Sequence, residues 1–268
     1  MDQPTYEYLD VDVQDGACWI TLRREKPHNA FCTDMYLEIK TAIRRADWDD
    51  SIDCMVITGT GAVFGVGGDL HEVLQAMREF REGGTHLHRF QDNLPFEAVR
   101  CARKPVISAV NGTAVGAGMT LAVVADISIA AASARLGIPE TRAGALDAYL
   151  PYYLFGQVSM PKLKYLLYTG KSVSAQEAER IGLITEVVED DRLHDRVREV
   201  IAELRVGSLA PNMEFKRILG GLVPFSTAAH TQGATRTWEL LMSEDTEKRL
   251  KRFERPDDQA VKVAEQSA

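Results

Sequence analysis

The apolar positions of this chain fall into short runs, which alternate with stretches where apolar residues recur every three or four positions. Short apolar runs bounded by polar residues are typical of buried strands, and the wider spacing is typical of amphipathic helices. The runs predict strands at 17–22, 53–58, 105–110, 126–131 and 183–188. Strands that alternate with helices favour an α/β fold with a largely parallel sheet.

Helical spacing is clearest in the segments that follow the first two strands. Thr33 is expected to cap a helix that runs through Ala46. The apolar face of that helix holds Met35, Ile39, Ala42 and Ile43. A second helix is predicted from the spacing of Leu70, Val73, Leu74 and Met77. Residues 79–89, which include His86 and His88, are charged and predict a connection rather than a helix.

The last third of the chain changes character near residue 190. The sequence Ser-Ala-Gln-Glu at 174–177 predicts a capping box that opens a short helix. Beyond Asp190 the spacing is helical, with breaks at 207–211 and 220–224. We therefore predict a core at 1–190 and a C-terminal helical region at 191–268.

Composition and charge exclude several classes of function. The 268 residues are 45% apolar and 26% charged, which is ordinary for a folded domain, and the net charge of −8 argues against nucleic acid as a partner. The four cysteines form neither a CxxC pair nor a Cys/His metal spacing. The polar start Met1–Pro4 and the short apolar stretch 119–124 predict neither a signal peptide nor a membrane span. We expect a cytoplasmic protein that binds no metal and no membrane.

Two glycine-containing turns are the strongest candidates for chemistry. They read VFGVGGD at 63–69 and NGTAVGAGM at 111–119, and each lies between an apolar run and a predicted helix. Small side chains leave the amide N–H groups of such turns uncovered, and uncovered amides at a helix start favour negative charge. If the two turns converge, they form an oxyanion hole that stabilises an enolate or a tetrahedral oxyanion.

Five segments in this order resemble those of the crotonase superfamily, the enoyl-CoA hydratase/isomerase family. They are residues 57–70, 104–118, 136–140, 168–184 and 243–253. The resemblance implies a spiral of ββα units with a C-terminal helical region that contributes to trimerisation and to the CoA site. It also implies an acyl-CoA thioester substrate, no separate cofactor, and assembly into homotrimers or dimers of trimers.

The resemblance also implies roles for individual residues. Gly68 and Ala117 match the two oxyanion donors of the family, and their neighbours are expected to contact substrate. Lys26 and Ala30 lie in the stretch that resembles the family's adenine-binding segment, where Lys26 or Arg24 could approach a phosphate. The expected substrate and CoA contacts are Lys26, Ala30, Gly67, Asp69, Leu70 and Gly116. The basic residues of the last helix either approach the CoA phosphates bound by a neighbouring subunit or form a solvated helix face. They are Lys248, Arg249, Lys251 and Arg252.

The candidate catalytic residues favour one reaction over another. Hydratases of the family use two glutamates, and this chain has Thr120 at the first position and Glu140 at the second. A threonine hydroxyl can orient water but is a poor proton acceptor. A single glutamate suffices to shift a double bond through a dienolate, so isomerisation is favoured over standard hydration.

Asp147 leaves an alternative open. With one gap it falls where relatives with hydrolytic or dehalogenating chemistry carry an aspartate, and there it would attack carbon or activate water. It could equally cap a helix, and Arg142 could pair with Glu140 or Asp147. Nearby rings at Tyr149, Tyr152 and Tyr153 could line an acyl pocket or belong to the core. A non-catalytic relative that binds CoA or RNA is the remaining alternative.

Overall fold

The computed structural model of this chain describes residues 5–83, 94–222 and 227–253. His86 and His88, in the predicted connection, lie outside the described residues. Within those ranges, no helix is both long and apolar enough to cross a lipid bilayer.

The larger sheet of the described chain is mostly parallel, as predicted. Its strands are β1 (Leu9–Gln14), β2 (Ala17–Leu22), β3 (Cys54–Gly59), β5 (Val106–Val110), β7 (Ile127–Ala131) and β10 (Glu186–Val188). They lie side by side in this order, with β1 and β2 antiparallel and the other neighbours parallel. The apolar runs that predicted strands therefore locate β2, β3, β5 and β7 to within one residue at each end.

A smaller sheet continues the chain after each central strand of the larger one. Its order is β4-β6-β8-β9, and only the last pair is antiparallel. Its strands are β4 (Val63–Gly65), β6 (Thr113–Val115), β8 (Arg135–Gly137) and β9 (Ser172–Ser174). The chain forms three consecutive strand pairs, β3–β4, β5–β6 and β7–β8. In each pair the first strand belongs to the larger sheet and the second to the smaller sheet, and a helical segment follows. The chain therefore winds as a spiral of ββα units.

The helices cover both faces of the larger sheet. They are α1 (Thr33–Trp48), α2 (Leu70–Arg81), α3 (Phe96–Cys101), α4 (Ala117–Val124), α5 (Leu150–Leu154), α6 (Met160–Thr169), α7 (Ala175–Arg180), α8 (Leu193–Arg205), α9 (Leu209–Leu222), α10 (Thr227–Leu241) and α11 (Glu244–Leu250). Three-residue to five-residue 3₁₀ turns lie at Pro139–Ala143, Asp190–Arg192 and Lys251–Phe253. The main core packs α1 and α4 on one face, and α8 packs on the other through Leu193, Val197, Val200 and Ile201.

Three details differ from the sequence-based predictions. Thr33 is the first residue of α1 rather than its cap, because Cys32 occupies the cap position and the Thr33 hydroxyl donates to Glu72 Oε2 at 2.8 Å. Helix α2 extends to Arg81, into the predicted connection. The last strand begins at Glu186, and residues 183–185 form the turn before it. The division of the chain at residue 190 stays a prediction.

Candidate active site

The first glycine turn is held in place by Phe31. Its amide donates to the carbonyl of Gly67 at 2.8 Å, and its carbonyl accepts from the amide of Asp69 at 2.9 Å. Gly68 lies between these two bonds. Its own amide donates to no acceptor among the described residues, and the residue is exposed. The turn therefore presents one N–H group outward from a rigid backbone.

Asp69 fixes the end of this turn. Its Oδ1 accepts from the amide of His71 at 2.9 Å and so caps α2, of which Leu70 is the first residue. Its Oδ2 pairs with Arg24 Nη1 at 2.7 Å, and Arg24 Nη1 also donates to the carbonyl of Ala30 at 2.8 Å. Arg24 is thus a structural partner of the turn. The side chain of Lys26, on the same stretch, is exposed.

Asn29 belongs to the same hydrogen-bonded network around the first glycine turn, a role that the sequence did not predict. Its side chain is fully buried, and its amide nitrogen donates to the carbonyls of Thr60 at 3.2 Å and Val63 at 2.8 Å. Its Oδ1 accepts from the amide of Arg24 at 2.9 Å. Asn29 therefore ties the segment before α1 to the strand that leads into the first glycine turn.

Replacing Asn29 with Ala is expected to lower the free energy of unfolding by about 3 kcal/mol, because buried backbone groups lose their partners and Ala is disfavoured at φ 53°. Urea denaturation measures the change. Asn212→Ala is the control, since its single long bond to the carbonyl of Leu204 at 3.5 Å contributes little. Equal effects in the two variants would contradict a bracing role for Asn29.

The second glycine turn leads directly into α4. Gly116 has φ 57°, its amide donates to the carbonyl of Gly137, and its carbonyl accepts from the amide of Thr120, both at 3.0 Å. Ala117 is the first residue of α4, so its amide has no partner within the helix. No other acceptor for this amide occurs among the described residues.

The two turns touch each other. A Cβ placed on Gly67 would lie 3.4 Å from the amide nitrogen of Ala117, and one placed on Gly116 would lie 3.4 Å from the Cα of Gly67. The turn that carries the unbonded amide of Gly68, just before the cap of α2, thus meets the start of α4 with its unbonded first amide. Such a meeting concentrates positive electrostatic potential between them.

The carboxyl group of Glu140 lies against this junction. Glu140 follows β8 in the 3₁₀ turn Pro139–Ala143, and its Oε1 would be 2.7 Å from a Cβ placed on Gly116. Its Oε2 is buried and has no hydrogen-bond partner among the described residues. Burial, and then the charge of Asp147, raise the pKa of Glu140 to about 8. A carboxyl group with this pKa exchanges protons near neutral pH.

Asp147 caps a helix start and also contacts Thr120. Its Oδ1 accepts from the amides of Tyr149 at 2.9 Å and Leu150 at 3.1 Å, and its Oδ2 accepts from the hydroxyl of Thr120 at 2.7 Å. Burial raises the pKa of Asp147, and the Thr120 hydroxyl opposes that rise. Thr120 is fully buried, with a relative exposure of 0%. Its hydroxyl therefore holds Asp147 and is not presented to solvent.

Glu140 and Asp147 line one cavity of about 620 Å³. Its other walls are largely apolar, and Tyr152 is among them. Tyr149 and Tyr153 instead line a separate cavity beside α1 and α3, where the Tyr153 hydroxyl donates to Glu97 Oε1 at 2.9 Å. Arg142 pairs with neither carboxylate, because its Nε donates to the carbonyl of Thr169 at 2.9 Å.

The sequence model of the family described as "Enoyl-CoA hydratase/isomerase" matches residues 12–253. The chain belongs to this family. It is 34% identical over 215 residues to a crotonyl-CoA hydratase of Syntrophomonas wolfei, which covers 76% of this chain and 78% of the relative. It is 31% identical over 200 residues to a 1,2-epoxyphenylacetyl-CoA isomerase of Escherichia coli, with 74% and 76% covered. The solved structure of EchA1_1 from Mycobacterium paratuberculosis superposes with a TM-score of 0.82 at 26% identity, over 94% of this chain and 97% of that one.

In this member of the enoyl-CoA hydratase/isomerase family, the C-terminal helices fold back over the site. The Thr246 hydroxyl, on α11, donates to the carbonyl of Gly144 at 2.8 Å, and Glu247 pairs with Arg81 at the end of α2. A Cβ placed on Gly233 of α10 would lie 3.0 Å from the Cβ of Ala148. These contacts fasten the loop that carries Asp147.

Basic residues of α11 and of the 3₁₀ turn that follows it pair with acidic residues of α11. Three pairs are spaced by four residues: Lys248–Glu244 at 3.9 Å, Arg249–Asp245 at 2.7 Å and Lys251–Glu247 at 2.7 Å. Of the two interpretations of this face, the pairs favour a solvated helix surface over a phosphate contact.

Proposed function

We propose that this protein is an acyl-CoA enzyme that shifts a carbon–carbon double bond along the acyl group. In this proposal Glu140 carries the proton, and the amides of Gly68 and Ala117 hold the thioester oxygen. The observation that supports it most strongly is the Glu140 carboxyl group, buried against Gly116 with one oxygen unbonded and a pKa of about 8. The names of the relatives, which include a crotonyl-CoA hydratase and a 1,2-epoxyphenylacetyl-CoA isomerase, agree with acyl-CoA chemistry.

The proposed reaction needs one base and one anion site. The Glu140 carboxylate removes a proton from C2 of a 3-enoyl thioester, and the C–H electron pair moves into a dienolate. The negative charge collects on the thioester oxygen, where two N–H groups stabilise it; one such donor contributes about 2.7–4 kcal/mol. Protonated Glu140 then delivers the proton to C4. The product is the 2-enoyl thioester, the carboxylate is regenerated, and no water is consumed.

Thr120 supports isomerisation over standard hydration. Its hydroxyl is buried and donates to Asp147, so this position offers neither a second base nor a group to orient water. Glu140 alone can serve both proton transfers, since a base with a pKa near the working pH is efficient in either direction. In this arrangement Thr120 is a positioning residue for Asp147.

A second candidate function rests on Asp147. It shares a cavity with Glu140, so a hydrolytic or dehalogenating reaction through its carboxylate is the alternative. Three hydrogen bonds already occupy its two oxygens, which makes it a weak nucleophile. This favours a supporting role in the chemistry of Glu140.

The test separates the reactions by their products. Purified protein is incubated with crotonyl-CoA and, separately, with a straight-chain 3-enoyl-CoA, and products are read by liquid chromatography with mass spectrometry. We expect the 3-enoyl thioester to change retention at constant mass. Addition of one water to crotonyl-CoA without isomerisation of the 3-enoyl thioester would reject isomerisation, and release of free CoA would support the hydrolytic alternative.

The charge of Asp147 can be tested through the pH dependence of turnover. Because that charge contributes to the high pKa of Glu140, Asp147→Asn is expected to lower this pKa. Glu140 acts as a base only when ionised, so kcat/KM rises with pH up to about 8 in the unmodified protein. In the variant the rise is expected at lower pH. Initial rates from pH 5 to 9 measure it.

The two roles of Asp147 predict different pH profiles. If kcat/KM of Asp147→Asn rises over the same pH range as in the unmodified protein, electrostatic coupling between the two carboxyl groups is contradicted. Loss of activity at every pH would instead assign Asp147 a direct chemical role. Asp190→Asn is the control, since that exposed carboxylate accepts from the Ser133 amide and does not line the cavity that holds Glu140 and Asp147.

Other features implied by the resemblance stay predictions. These are assembly into trimers or dimers of trimers, adenine binding along the stretch with Lys26 and Ala30, and a cytoplasmic location. Sedimentation velocity at several protein concentrations measures the first, and a trimer mass at micromolar protein is expected.

A further inference from the structure

Helix α6 forms one wall of the cavity that holds Glu140 and Asp147. The cavity-lining residues of this helix recur every three or four positions, so they lie on one face of it. They are Met160, Leu163, Lys164, Leu167 and Tyr168. Lys164 therefore places a positive charge within a helix face that is otherwise leucine, methionine and tyrosine.

Lys164 has no partner in the part of the chain that the structure describes. It forms no ion pair or hydrogen bond there, and its side chain is exposed. Two nearby lysines are engaged. Lys162 Nζ pairs with Glu177 Oε1 at 3.3 Å. Lys171 Nζ lies 5.8 Å from the centroid of the Tyr165 ring. Among the described residues, Lys164 is also the one basic residue that lines the cavity. A free ammonium group thus stands at the rim of a cavity with largely apolar walls.

The charge of Lys164 lies apart from the two carboxyl groups of the cavity. Burial raises the pKa of Glu140 and of Asp147, and no positive charge of the described chain lowers either pKa. A cation within about 4–6 Å of a carboxyl group would lower the pKa of that group. The cavity therefore has its two carboxyl groups in one part and its cation in another.

The cavity extends beyond the place of the proposed chemistry. Glu140 lines it, whereas no residue of the two glycine turns does. The thioester carbonyl is assigned to those turns and the proton transfer to Glu140, so the acyl carbons beyond C4 extend into this cavity. Its volume of about 620 Å³ is typical of a site for a small molecule.

The groups at the rim indicate what the far end of that acyl group carries. A hydrocarbon end gains nothing from an ammonium group, whereas a carboxylate gains an ion pair. Tyr168 lies one helical turn after Lys164, lines the same cavity and has no hydrogen-bond partner within the described residues. Its hydroxyl can donate to the second oxygen of a carboxylate.

We propose that Lys164 is a specificity-determining residue that binds a carboxylate at the far end of the acyl group, with Tyr168 as a second donor. The substrate class is then the CoA thioester of a dicarboxylic acid. This inference rests on the proposed function, since it requires the thioester carbonyl at the glycine turns. It leaves the proton shift from C2 to C4 unchanged, because the free carboxylate lies beyond C4.

The test compares CoA thioesters of equal chain length with and without the second carboxylate. The pairs are adipyl-CoA with hexanoyl-CoA, suberyl-CoA with octanoyl-CoA, and sebacyl-CoA with decanoyl-CoA. Isothermal titration calorimetry on the full chain measures the affinities. We expect the dicarboxylic member of at least one pair to bind about threefold more tightly or better, the effect of an ion pair at an exposed position.

Lys164→Glu is expected to abolish or reverse this preference, because a like charge then faces the carboxylate. The fatty acyl member of the pair is expected to stay within about twofold. Lys162→Glu is the matched control, since it makes the same change of charge on the same helix at a residue that does not line the cavity. It is expected to keep the preference, and circular dichroism checks that both variants fold.

The outcomes separate two failures. If the members of every pair bind equally, or if Lys164→Glu weakens both members of a pair alike, Lys164 does not contact the end of the acyl group. The inference is then overturned while the proposed function stands, and loss of the preference in Lys162→Glu as well would overturn it too. If the unmodified protein binds none of these thioesters, the proposed function itself fails and the inference fails with it.

Discussion

Replacing Glu140 with Gln is expected to reduce kcat by about 10²- to 10⁴-fold, the usual contribution of a positioned acid–base group. Gln has nearly the same shape but cannot carry the proton. Affinity for an acyl-CoA is expected to stay within a few-fold, because the anion site proposed between the glycine turns is unchanged. Steady-state kinetics with a 3-enoyl-CoA and calorimetry with butyryl-CoA measure the two quantities. Unchanged turnover would reject Glu140 as the base.

The free energy of unfolding of Glu140→Gln distinguishes a loss of turnover from a loss of folding. The pKa of Glu140 is raised from 4.5 to about 8, so the folded protein binds more protons than the unfolded chain between these values. The free energy of unfolding therefore falls as pH rises through this window. Gln cannot ionise, so the variant is expected to be more stable than the unmodified protein at pH 8. Glu244→Gln, on an exposed position of α11, is the control.

The second large effect is expected from Gly116→Ala, which should lower kcat by about 10²-fold or more. The new Cβ would lie 2.7 Å from Glu140 Oε1 and 3.4 Å from the Cα of Gly67, so either the carboxyl group or the facing turn must move. Displacement of catalytic groups by about 1 Å costs on this order. The backbone of residue 116, at φ 57° and ψ −133°, adds a stability cost of about 1–3 kcal/mol.

Gly156→Ala separates these two effects. Gly156 has φ 85°, and a Cβ placed there meets no described atom within 4 Å. The control is therefore expected to lose stability without losing kcat. If both variants lose kcat to the same extent, the contact between residue 116 and Glu140 does not matter for turnover. Denaturation curves and initial rates on both proteins decide this.

The sequence predicted the elements whose signal is local. Runs such as Cys54–Gly59 and Val106–Val110 are largely apolar because both faces of a central parallel strand are covered. The glycine turns were equally predictable, since the short side chains that a close backbone approach requires occur near one another in the sequence. Ser174 caps α7 as the capping box predicted, by accepting from the amide of Glu177.

Long-range contacts could not be predicted in this way. The bonds of Asn29 to Thr60 and Val63 cross more than 30 positions, and nothing in the local pattern distinguishes this Asn from a turn residue. Thr33 is of a residue type that often caps helices, but its hydroxyl donates a hydrogen bond to Glu72, 39 residues away. Such choices are made by tertiary packing.

The candidate site shows the same limit. At the level of sequence, Thr120 marks a missing carboxylate. In the fold a carboxylate stands beside it, because the loop after the 3₁₀ turn carries Asp147 to within 2.7 Å of the Thr120 hydroxyl across 27 positions. The sequence identified Asp147 as a candidate, but position-by-position comparison could not show that it contacts Thr120 from another segment. Whether it replaces the missing group or only supplies charge is what the pH profile of Asp147→Asn decides.

The fastening of the Asp147 loop by α11 has a consequence for how this protein is made. The bond between Thr246 and the carbonyl of Gly144 joins residues 102 positions apart. A ribosome adding about 5–20 residues per second needs roughly 5–20 s to cover that interval. Both glycine turns and Glu140 are thus synthesised well before the helix that secures the neighbouring loop. The nascent chain acquires its chemical groups first, and the Asp147 loop is fastened only after α11 has been synthesised.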